Sequence, residues 1–273
     1  MFHDGRYVMN IPGNFASEDD PRTTELRTRM DAFYQSTASY SAFQTVNDLP
    51  QQWRHVHAAI VEILKEQPIC RVLEIGSGMS GFSQFAQDIR SSLCYTAQDV
   101  TRANEEHLRS VADAVHFGSI TELEGEFDVI FSTFVFEHIS DPRRTLEKLF
   151  GMLRKGGKLF IFCPRYDMPF YLSHSADHYG VFRRFGIAIS LLAARFQAFL
   201  TRQPLFLIHT DPAVLHIPWT TDRDAIHWAS LWDLQLFFRG CGLVKRLRIP
   251  TGSTKDWIVK NLLQINVAIT RLD

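Results

Sequence analysis

The sequence predicts an α/β protein in which one mainly parallel seven-stranded sheet carries helices on both faces. Short apolar runs alternate with helix-like segments between residues 71 and 164, as expected where helices connect parallel strands. A glycine-rich turn follows the first of these strands, and two further strand-like runs lie near the C-terminus. With 45% hydrophobic and 22% charged residues, the 273-residue chain has the composition of a globular protein with a large core.

The individual elements follow from local pattern. Most strands are short apolar runs that stop at Gly, Pro or Asp, and helices repeat their apolar residues every three or four positions. We expect strands at 71–75, 93–98, 115–117, 127–133, 158–163, 243–249 and 262–270. We expect helices at 51–66, 81–89, 105–111, 142–153, 184–202 and 224–238.

Breaks in this alternation suggest four segments. Residues 1–50 are polar and form an N-terminal arm, in which Tyr34, Tyr40 and Phe43 could close over a ligand or simply pack. Residues 51–164 form the α/β core, and residues 165–223, rich in aromatics, His and Pro, form an inserted cap. Residues 224–273 supply the last helix and strands of the sheet.

Charge and cysteine content limit the class of protein. The net charge of −1 gives no reason to expect nucleic acid, which requires clustered Lys and Arg. Four scattered cysteines without a CxxC pair argue against structural zinc and disulfides and fit the cytoplasm. The N-terminus lacks the pattern of a secretory signal. The longest nearly apolar stretch, 185–194, is too short to span a bilayer.

Two carboxylates define the expected ligand. Glu74 stands two residues before Gly76, where a pyrophosphate at the following helix would make an acidic residue unfavourable. A carboxylate there suits an ammonium, a sulfonium or a hydrogen-bond donor. Asp99 ends the second strand, 18 residues after Gly81, where a carboxylate can hold both hydroxyls of a ribose. Together they call for a cationic nucleoside amino acid without phosphates.

These motifs resemble those of class I S-adenosylmethionine-dependent methyltransferases of the small-molecule type. Glu74, Gly76 and Gly78 match the family's E/D-x-G-x-G loop, and 127–133 with 136–142 is similar to its fourth strand and following loop. The resemblance implies a Rossmann-like fold and S-adenosyl-L-methionine as cofactor, converted to S-adenosyl-L-homocysteine. It implies that the cofactor is bound by Glu74, Gly76, Ser77, Gly78, Asp99, Val100, Ser119, Ile120 and Thr133.

The chain departs from the family pattern at two positions. Ser80 occupies the usual place of the third glycine, which here is Gly81. Ser119 stands where relatives often carry an adenine-contacting Asp. We therefore expect that contact to pass to the backbone N–H of Ile120 or to be lost.

Three histidines are candidates for the catalytic base. His138 follows the fourth strand, close to the expected methyl group, although it could instead only fix its loop beside Glu137. His178 belongs to a cluster after the fifth strand, and is either a base, a substrate contact or a solvated residue. His227, placed at the start of the last helix, either faces the substrate or packs under the cap.

Two features of the cap allow further alternatives. If helical, His174 and His178 share a face at i, i+4, which could ligate a metal; without a completing glutamate we expect no metal site. Arg184, Arg195 and Arg202 line one narrow side of the apolar helix at 184–202. That helix either packs within the cap or at a dimer contact, or it meets a membrane surface or a lipid-linked substrate.

The function expected from the sequence is methyl transfer to a small molecule. O-methylation of a secondary metabolite, sugar or lipid-linked intermediate is favoured, because nearby histidines could accept a hydroxyl proton. The alternatives are another reaction on the same fold and a non-catalytic scaffold. Intact Glu74, Gly76, Gly78 and Asp99 argue against the scaffold. The partner is a small-molecule substrate, and the protein is expected to be a monomer or a homodimer.

Overall fold

A computed structural model describes residues 15–17, 19–36, 51–211 and 223–272. The strands are β1 (Phe15–Ala16), β2 (Cys70–Ile75), β3 (Leu93–Asp99), β4 (Ala114–Phe117), β5 (Phe127–Thr133), β6 (Leu153–Pro164), β7 (Ile208–His209), β8 (Gly242–Arg246) and β9 (Gln264–Arg271). The helices are α1 (Pro21–Ser36), α2 (Trp53–Leu64), α3 (Phe82–Phe85), α4 (Glu105–Val111), α5 (Pro142–Gly151), α6 (Val181–Thr201), α7 (Leu231–Phe237) and α8 (Thr254–Asn261).

A seven-stranded sheet has the order β4-β3-β2-β5-β6-β9-β8, which confirms the predicted sheet. Strands β2 to β6 pair in parallel, whereas β9 is antiparallel to both β6 and β8. The strand order reverses between β2 and its neighbours β3 and β5. In such sheets a ligand crevice lies beyond the carboxyl ends of the strands at this switch point.

Alternate residues of the same strands fill two cores, one on each face of the sheet. Leu73 and Ile130 belong to the core that also holds α5 and α7. Val72 and Val129 belong to the core that holds α2 and α4. Because both faces are buried, the central strands are apolar throughout rather than alternating.

The chain between β7 and α7 differs from the prediction. The helix expected from Asp224 begins only at Leu231, where Ser230 caps it by accepting from the Trp232 N–H at 3.2 Å. The preceding residues instead lie alongside β7, with backbone hydrogen bonds from His209 to Ile226 and from Trp228 to Leu207. Strand β7 also pairs with β1 in a small antiparallel sheet that the sequence pattern did not reveal.

Three smaller differences have local causes. The helix expected over 81–89 is interrupted at Ala86, whose φ of −96° and ψ of 27° end α3, and a 3₁₀ segment follows at Gln87–Ser92. Strand β6 starts at Leu153, five residues before the predicted start at residue 158, with a register shift opposite β5. Helix α8 was missed, although Ser253 caps it by accepting from the Asp256 N–H at 3.1 Å.

The N-terminal arm contributes α1. Of its three predicted lid residues, Tyr40 and Phe43 lie outside the described residues, whereas Tyr34 lies on α1. The Tyr34 hydroxyl donates to Asp224 Oδ2 at 2.7 Å. Helix α1 is thereby fastened to the segment that precedes α7.

Candidate cofactor and active site

The loop after β2 depends on two glycines with left-handed backbone. Gly76 has φ of 64° and Gly78 has φ of 51°, values that side-chain-bearing residues rarely adopt. A Cβ on Gly76 would lie 2.4 Å from Val135 Cγ2. The glycine therefore lets the loop after β2 pack directly against the loop after β5, at the switch point of the sheet.

Asp99 joins the same loop to the end of β3. Its Oδ2 accepts from the Gly78 N–H at 2.7 Å, and its Oδ1 accepts from the Thr101 N–H at 3.0 Å. Burial raises the pKa of this carboxyl, against the lowering effect of these hydrogen bonds. Each carboxylate oxygen has a second lone pair, so the group can still accept from a ribose hydroxyl.

Glu74 braces the loop from within the sheet. Only 4% of it is exposed, and its Oε2 accepts from the hydroxyls of Ser80, at 2.7 Å, and of Tyr95. Burial raises the pKa of Glu74 to about 7, although both hydrogen bonds oppose the shift. A cation bound at the loop would favour the ionised form.

Two residues of this brace were missed by the sequence analysis. Gln98 accepts from the Gly76 N–H at 3.3 Å and donates to the Gly118 carbonyl at 2.8 Å, so it links the loops after β2 and β4. Tyr95 holds Glu74. The sequence did contain a signal for both residues, because each is a polar side chain on a buried strand. Gln98 also lies directly before Asp99.

The remaining predicted cofactor residues lie at neighbouring strand ends. The Ser77 N–H donates to the Gln98 carbonyl at 2.9 Å, and Val100 is 36% exposed. Ser119 caps a 3₁₀ turn that begins at Ile120, accepting from the Thr121 N–H at 3.2 Å. The Thr133 hydroxyl, at the end of β5, accepts from Trp53 Nε1 at 3.2 Å. Cofactor contact stays a prediction for Ser77, Val100, Ser119, Ile120 and Thr133.

The chemistry of this edge suits a nucleoside cation. Residues 76–81 contain no Lys, Arg or His, and two buried carboxylates lie beside the loop. A diphosphate would be repelled by this negative charge. An ammonium, a sulfonium and a ribose would each meet a suitable hydrogen-bond or charge partner.

Phe134 is a further candidate that sequence reasoning missed. It follows β5 with φ of 56°, and its N–H donates to the Phe162 carbonyl at 2.7 Å. Its side chain is 38% exposed. A bulky residue held in left-handed backbone at the sheet's carboxyl edge points to a function in ligand contact.

His138 lies in the loop after β5, on the short 3₁₀ helix Phe136–His138. Its Nδ1 is 3.4 Å from Asp224 Oδ2, the oxygen that also accepts from the Tyr34 hydroxyl. This separation is longer than a usual hydrogen bond, but a protonated imidazole would be drawn to the carboxylate. Asp224 and Tyr34 were not predicted as site residues, because they come from distant parts of the chain.

His227 holds the same loop from inside the protein. It is 0% exposed, and its ring lies between those of Phe136 and Phe206. Its Nδ1 is 3.0 Å from the Phe136 carbonyl, and its backbone N–H donates to the Glu137 carbonyl at 2.8 Å. Burial lowers the pKa of His227 to about 4, so the ring is neutral at pH 7 and donates through Nδ1.

His178 belongs to a different cluster. Its Nε2 lies 3.2 Å from Asp211 Oδ2, which also accepts from the Tyr179 hydroxyl. His174 begins a 3₁₀ turn rather than sharing an α-helical face with His178, and it contacts Asp177 at 2.8 Å. No metal-binding cluster occurs among the residues in the described ranges. The three candidate bases thus have separate partners.

The chain resembles known methyltransferases. A family profile described as a methyltransferase domain matches residues 42–237. The structure of Burkholderia thailandensis 1,6-didemethyltoxoflavin-N1-methyltransferase, with bound 1,6-didemethyltoxoflavin and S-adenosylhomocysteine, is 12% identical, with a TM-score of 0.53 over 98% of this chain and 100% of that one. An S-adenosylmethionine-dependent methyltransferase from Mesorhizobium loti is 14% identical, with a TM-score of 0.50 over 81% of this chain and 98% of that one. No curated protein matches. The predicted Rossmann-like fold is confirmed.

Proposed function

The chain belongs to the methyltransferase-domain family, and from that premise we propose that it methylates a hydroxyl oxygen of a small molecule. The cofactor is S-adenosylmethionine. The hydroxyl acceptor is supported by one observation above all: His138 lies at the carboxyl edge of β5 beside the buried Asp224. A secondary metabolite, a sugar or a lipid-linked intermediate in the cytoplasm would fit as acceptor.

The residues at this edge fit the cofactor. We propose that Asp99 and the Gly118–Ile120 segment hold its nucleoside, and that the Gly76–Gly78 loop, braced by Glu74, holds its amino-acid end. The bound cofactor supplies an electrophilic methyl group on a sulfonium. The protein's own contribution is to align the acceptor with that methyl group and to exclude water, which provides much of the rate in such displacements.

His138 would accept the acceptor's hydroxyl proton. With Nδ1–H directed to Asp224, a neutral imidazole accepts a proton at Nε2, and the carboxylate then stabilises the imidazolium. Tyr34 fixes the Asp224 oxygen that faces the ring. His178, paired with Asp211, is the second candidate base, and it would act on an acceptor that reaches into the cap.

An amine acceptor is the alternative proposal. The similar Burkholderia enzyme is named as an N1-methyltransferase. A neutral amine attacks through its own lone pair and depends less on a base in the transition state. Loss of His138 would therefore slow O-methylation strongly and N-methylation weakly.

The cofactor site is tested by calorimetric titration with S-adenosylmethionine and S-adenosylhomocysteine. Both should bind the native chain, and Asp99→Ala should weaken binding about 10-fold to 100-fold, as expected for charge-assisted hydrogen bonds. Glu124→Ala removes an exposed carboxylate and serves as the control. Equal affinity of Asp99→Ala and the native chain would disprove the role of Asp99.

The acceptor is tested with methyl-labelled cofactor, a panel of hydroxyl and amine compounds, and mass spectrometry of the products. His138→Ala should reduce O-methyl transfer about 100-fold or more without weakening cofactor binding. His178→Ala tests the second candidate in the same way. His174→Ala is the control, because His174 is exposed and contacts Asp177. Full activity of His138→Ala would exclude it as the base.

A further inference from the structure

Helix α6 presents a continuous apolar face to solvent, which we call the α6 face. Its members are the exposed residues Val181, Phe182, Phe185, Ile189, Leu192, Phe196, Phe199 and Leu200. At about 100° of rotation per residue, all eight lie within an arc of about 100°. Phe182 is 95% exposed and Leu200 is 63% exposed. A patch of this size is unusual for a soluble monomer and marks an interaction surface.

Phe170 enlarges the α6 face at its N-terminal end. Its ring centroid is 6.3 Å from that of Phe185, and its side chain is 73% exposed. Its φ of 67° is again left-handed. The apolar surface therefore includes a ring from the loop before α6 as well as the helix itself.

The opposite face fixes α6 to the rest of the protein. Ile187, Leu191 and Ala194 belong to the buried core of the cap. Arg195 donates to the buried Asp233 at 2.7 Å. By length and composition the 21-residue helix could cross a membrane. The sequence analysis had considered only the stretch 185–194, which is too short to do so. Because one side of α6 is packed against the protein, the helix in this fold can lie on a membrane but not span it.

Charge indicates what the α6 face contacts. Residues 178–210 contain four arginines and no Asp or Glu. Arg202 ends α6 with its guanidinium 4.9 Å from the Phe199 ring centre. At the other end, Arg183 and Arg184 lie 3.7 Å from Asp211 and 3.5 Å from Asp177. Arg184 and Arg202 thus lie near the two ends of the apolar face. The helix has no carboxylate of its own, and Asp177 and Asp211 flank its N-terminal end.

We propose that the α6 face docks on a membrane of anionic phospholipids, with the helix parallel to the bilayer surface. Phe and Leu side chains enter the boundary between head groups and acyl chains, and arginines at the helix ends contact phosphate groups. This docking is independent of the methyl acceptor. It would hold the enzyme at the surface where a lipid-linked acceptor is found.

A second copy of the chain fits the α6 face less well. Its residues at 182, 185, 189, 192, 196 and 199 have the 3-4 spacing of helix pairs. However, two α6 helices packed together would place arginines on both and carboxylates on neither, so the charges along the helices themselves do not favour the pair. An anionic lipid surface supplies the missing negative charge.

The test is flotation of the full chain with phosphatidylcholine vesicles and with vesicles that also contain phosphatidylglycerol. The chain should bind the anionic vesicles more tightly, and added salt should reduce that preference. Phe185→Ser combined with Phe196→Ser should weaken binding at least about tenfold. Leu243→Ser combined with Trp257→Ser removes side chains that are 60% and 43% exposed elsewhere and should leave binding unchanged.

Cofactor titration and thermal unfolding of each variant show whether it folds. Two results would overturn the proposal: no binding of the native chain to either vesicle, or equal binding by native chain and α6 variant. Analytical ultracentrifugation without lipid tests the alternative, in which a second copy of the chain covers the α6 face. A dimer that the α6 substitutions dissociate, together with no vesicle binding, would assign the face to a second copy.

Discussion

The cofactor edge of the sheet and the cap both bury many polar groups but satisfy them differently. At the cofactor edge, side chains of β3 bind backbone N–H groups of the loop after β2, as in the pairs Asp99–Gly78 and Gln98–Gly76. Between the cap and α7, two charged side chains bind each other, Arg195 on α6 and Asp233 on α7. The first arrangement follows from strand register, whereas the second requires two particular residues that are distant in sequence.

The largest effect is expected from breaking the Arg195–Asp233 pair between α6 and α7. Asp233 is 0% exposed, accepts from Arg195 and also accepts from the Leu205 N–H at 3.0 Å. Asp233→Ala leaves a mostly buried cation and a partly buried N–H without their acceptor, so it should lower the free energy of unfolding by about 3 kcal/mol. Chemical denaturation measures this loss.

Graded substitutions sharpen this prediction. Asp233→Asn retains an acceptor for the Leu205 N–H and should destabilise less than Asp233→Ala. Glu124→Ala, at an exposed position, should change stability by less than about 0.5 kcal/mol. A stability of Asp233→Ala within that range would show that the ion pair does not hold α6 to the protein.

The next largest effect tests the backbone arrangement at the cofactor edge. Gly76→Ala introduces a Cβ 2.4 Å from Val135 Cγ2 and forces a side chain onto a residue with φ of 64°. Strain and overpacking should together destabilise the protein by about 2–4 kcal/mol and weaken cofactor binding. Denaturation and calorimetric titration measure the two effects.

The matched control is Gly151→Ala, where a Cβ meets nothing within 4 Å. This substitution, in the last turn of α5, should be neutral or stabilise by up to about 1 kcal/mol. Val135→Ala combined with Gly76→Ala should recover part of the loss, because it removes the clashing methyl groups. If the double substitution is no more stable than Gly76→Ala, the loss of stability comes from the backbone conformation rather than from contact with Val135.

A smaller effect is expected from the charge of Glu74. Because burial raises its pKa from 4.5 to about 7 in the folded protein, the native state binds this proton more tightly than the unfolded state. The stability that Glu74 contributes is fully present below pH 4.5 and is lost as the pH rises through about 7. The loss should be about 2 kcal/mol, after allowance for coupling to Tyr95 and Asp99.

Glu74→Gln isolates this contribution. Its neutral amide still accepts from Tyr95 or Ser80 but cannot ionise, so the variant should match the native chain near pH 5 and exceed it in stability near pH 8. Denaturation at both pH values measures the difference. If the stability difference between Glu74→Gln and the native chain is the same at both pH values, Glu74 does not titrate in this range.

The contrast between the two regions also explains what the sequence revealed. Strand and glycine patterns predicted β2 to β6 and placed Glu74, Gly76 and Asp99 together, because parallel register brings the carboxyl ends of consecutive strands to one edge. The same reasoning did not identify Tyr95 and Gln98 as part of the site. Both are polar residues of a buried strand whose partners become evident only from side-chain directions.

In the segment that follows the cap, local pattern was a poor guide. The periodicity of 224–238 predicted a helix, but its first part lies against β7 through the backbone bonds of Ile226 and Trp228. Tertiary pairing overrode helix propensity there. The sequence likewise did not identify Asp224 as the partner of His138, because 86 residues separate them and no motif relates them.

The smallest effect concerns Ser119, the departure from the family pattern on the cofactor edge. Its hydroxyl accepts from the Thr121 N–H and thereby caps an exposed 3₁₀ turn. Ser119→Ala should destabilise the protein by about 0.5–1 kcal/mol.

Ser119→Asp keeps an equally good cap and restores the carboxylate of the family, so it should preserve stability while strengthening cofactor binding. Thermal unfolding and titration separate these outcomes. If Ser119→Asp binds the cofactor no more tightly than the native chain, backbone groups such as the Ile120 N–H already provide that contact.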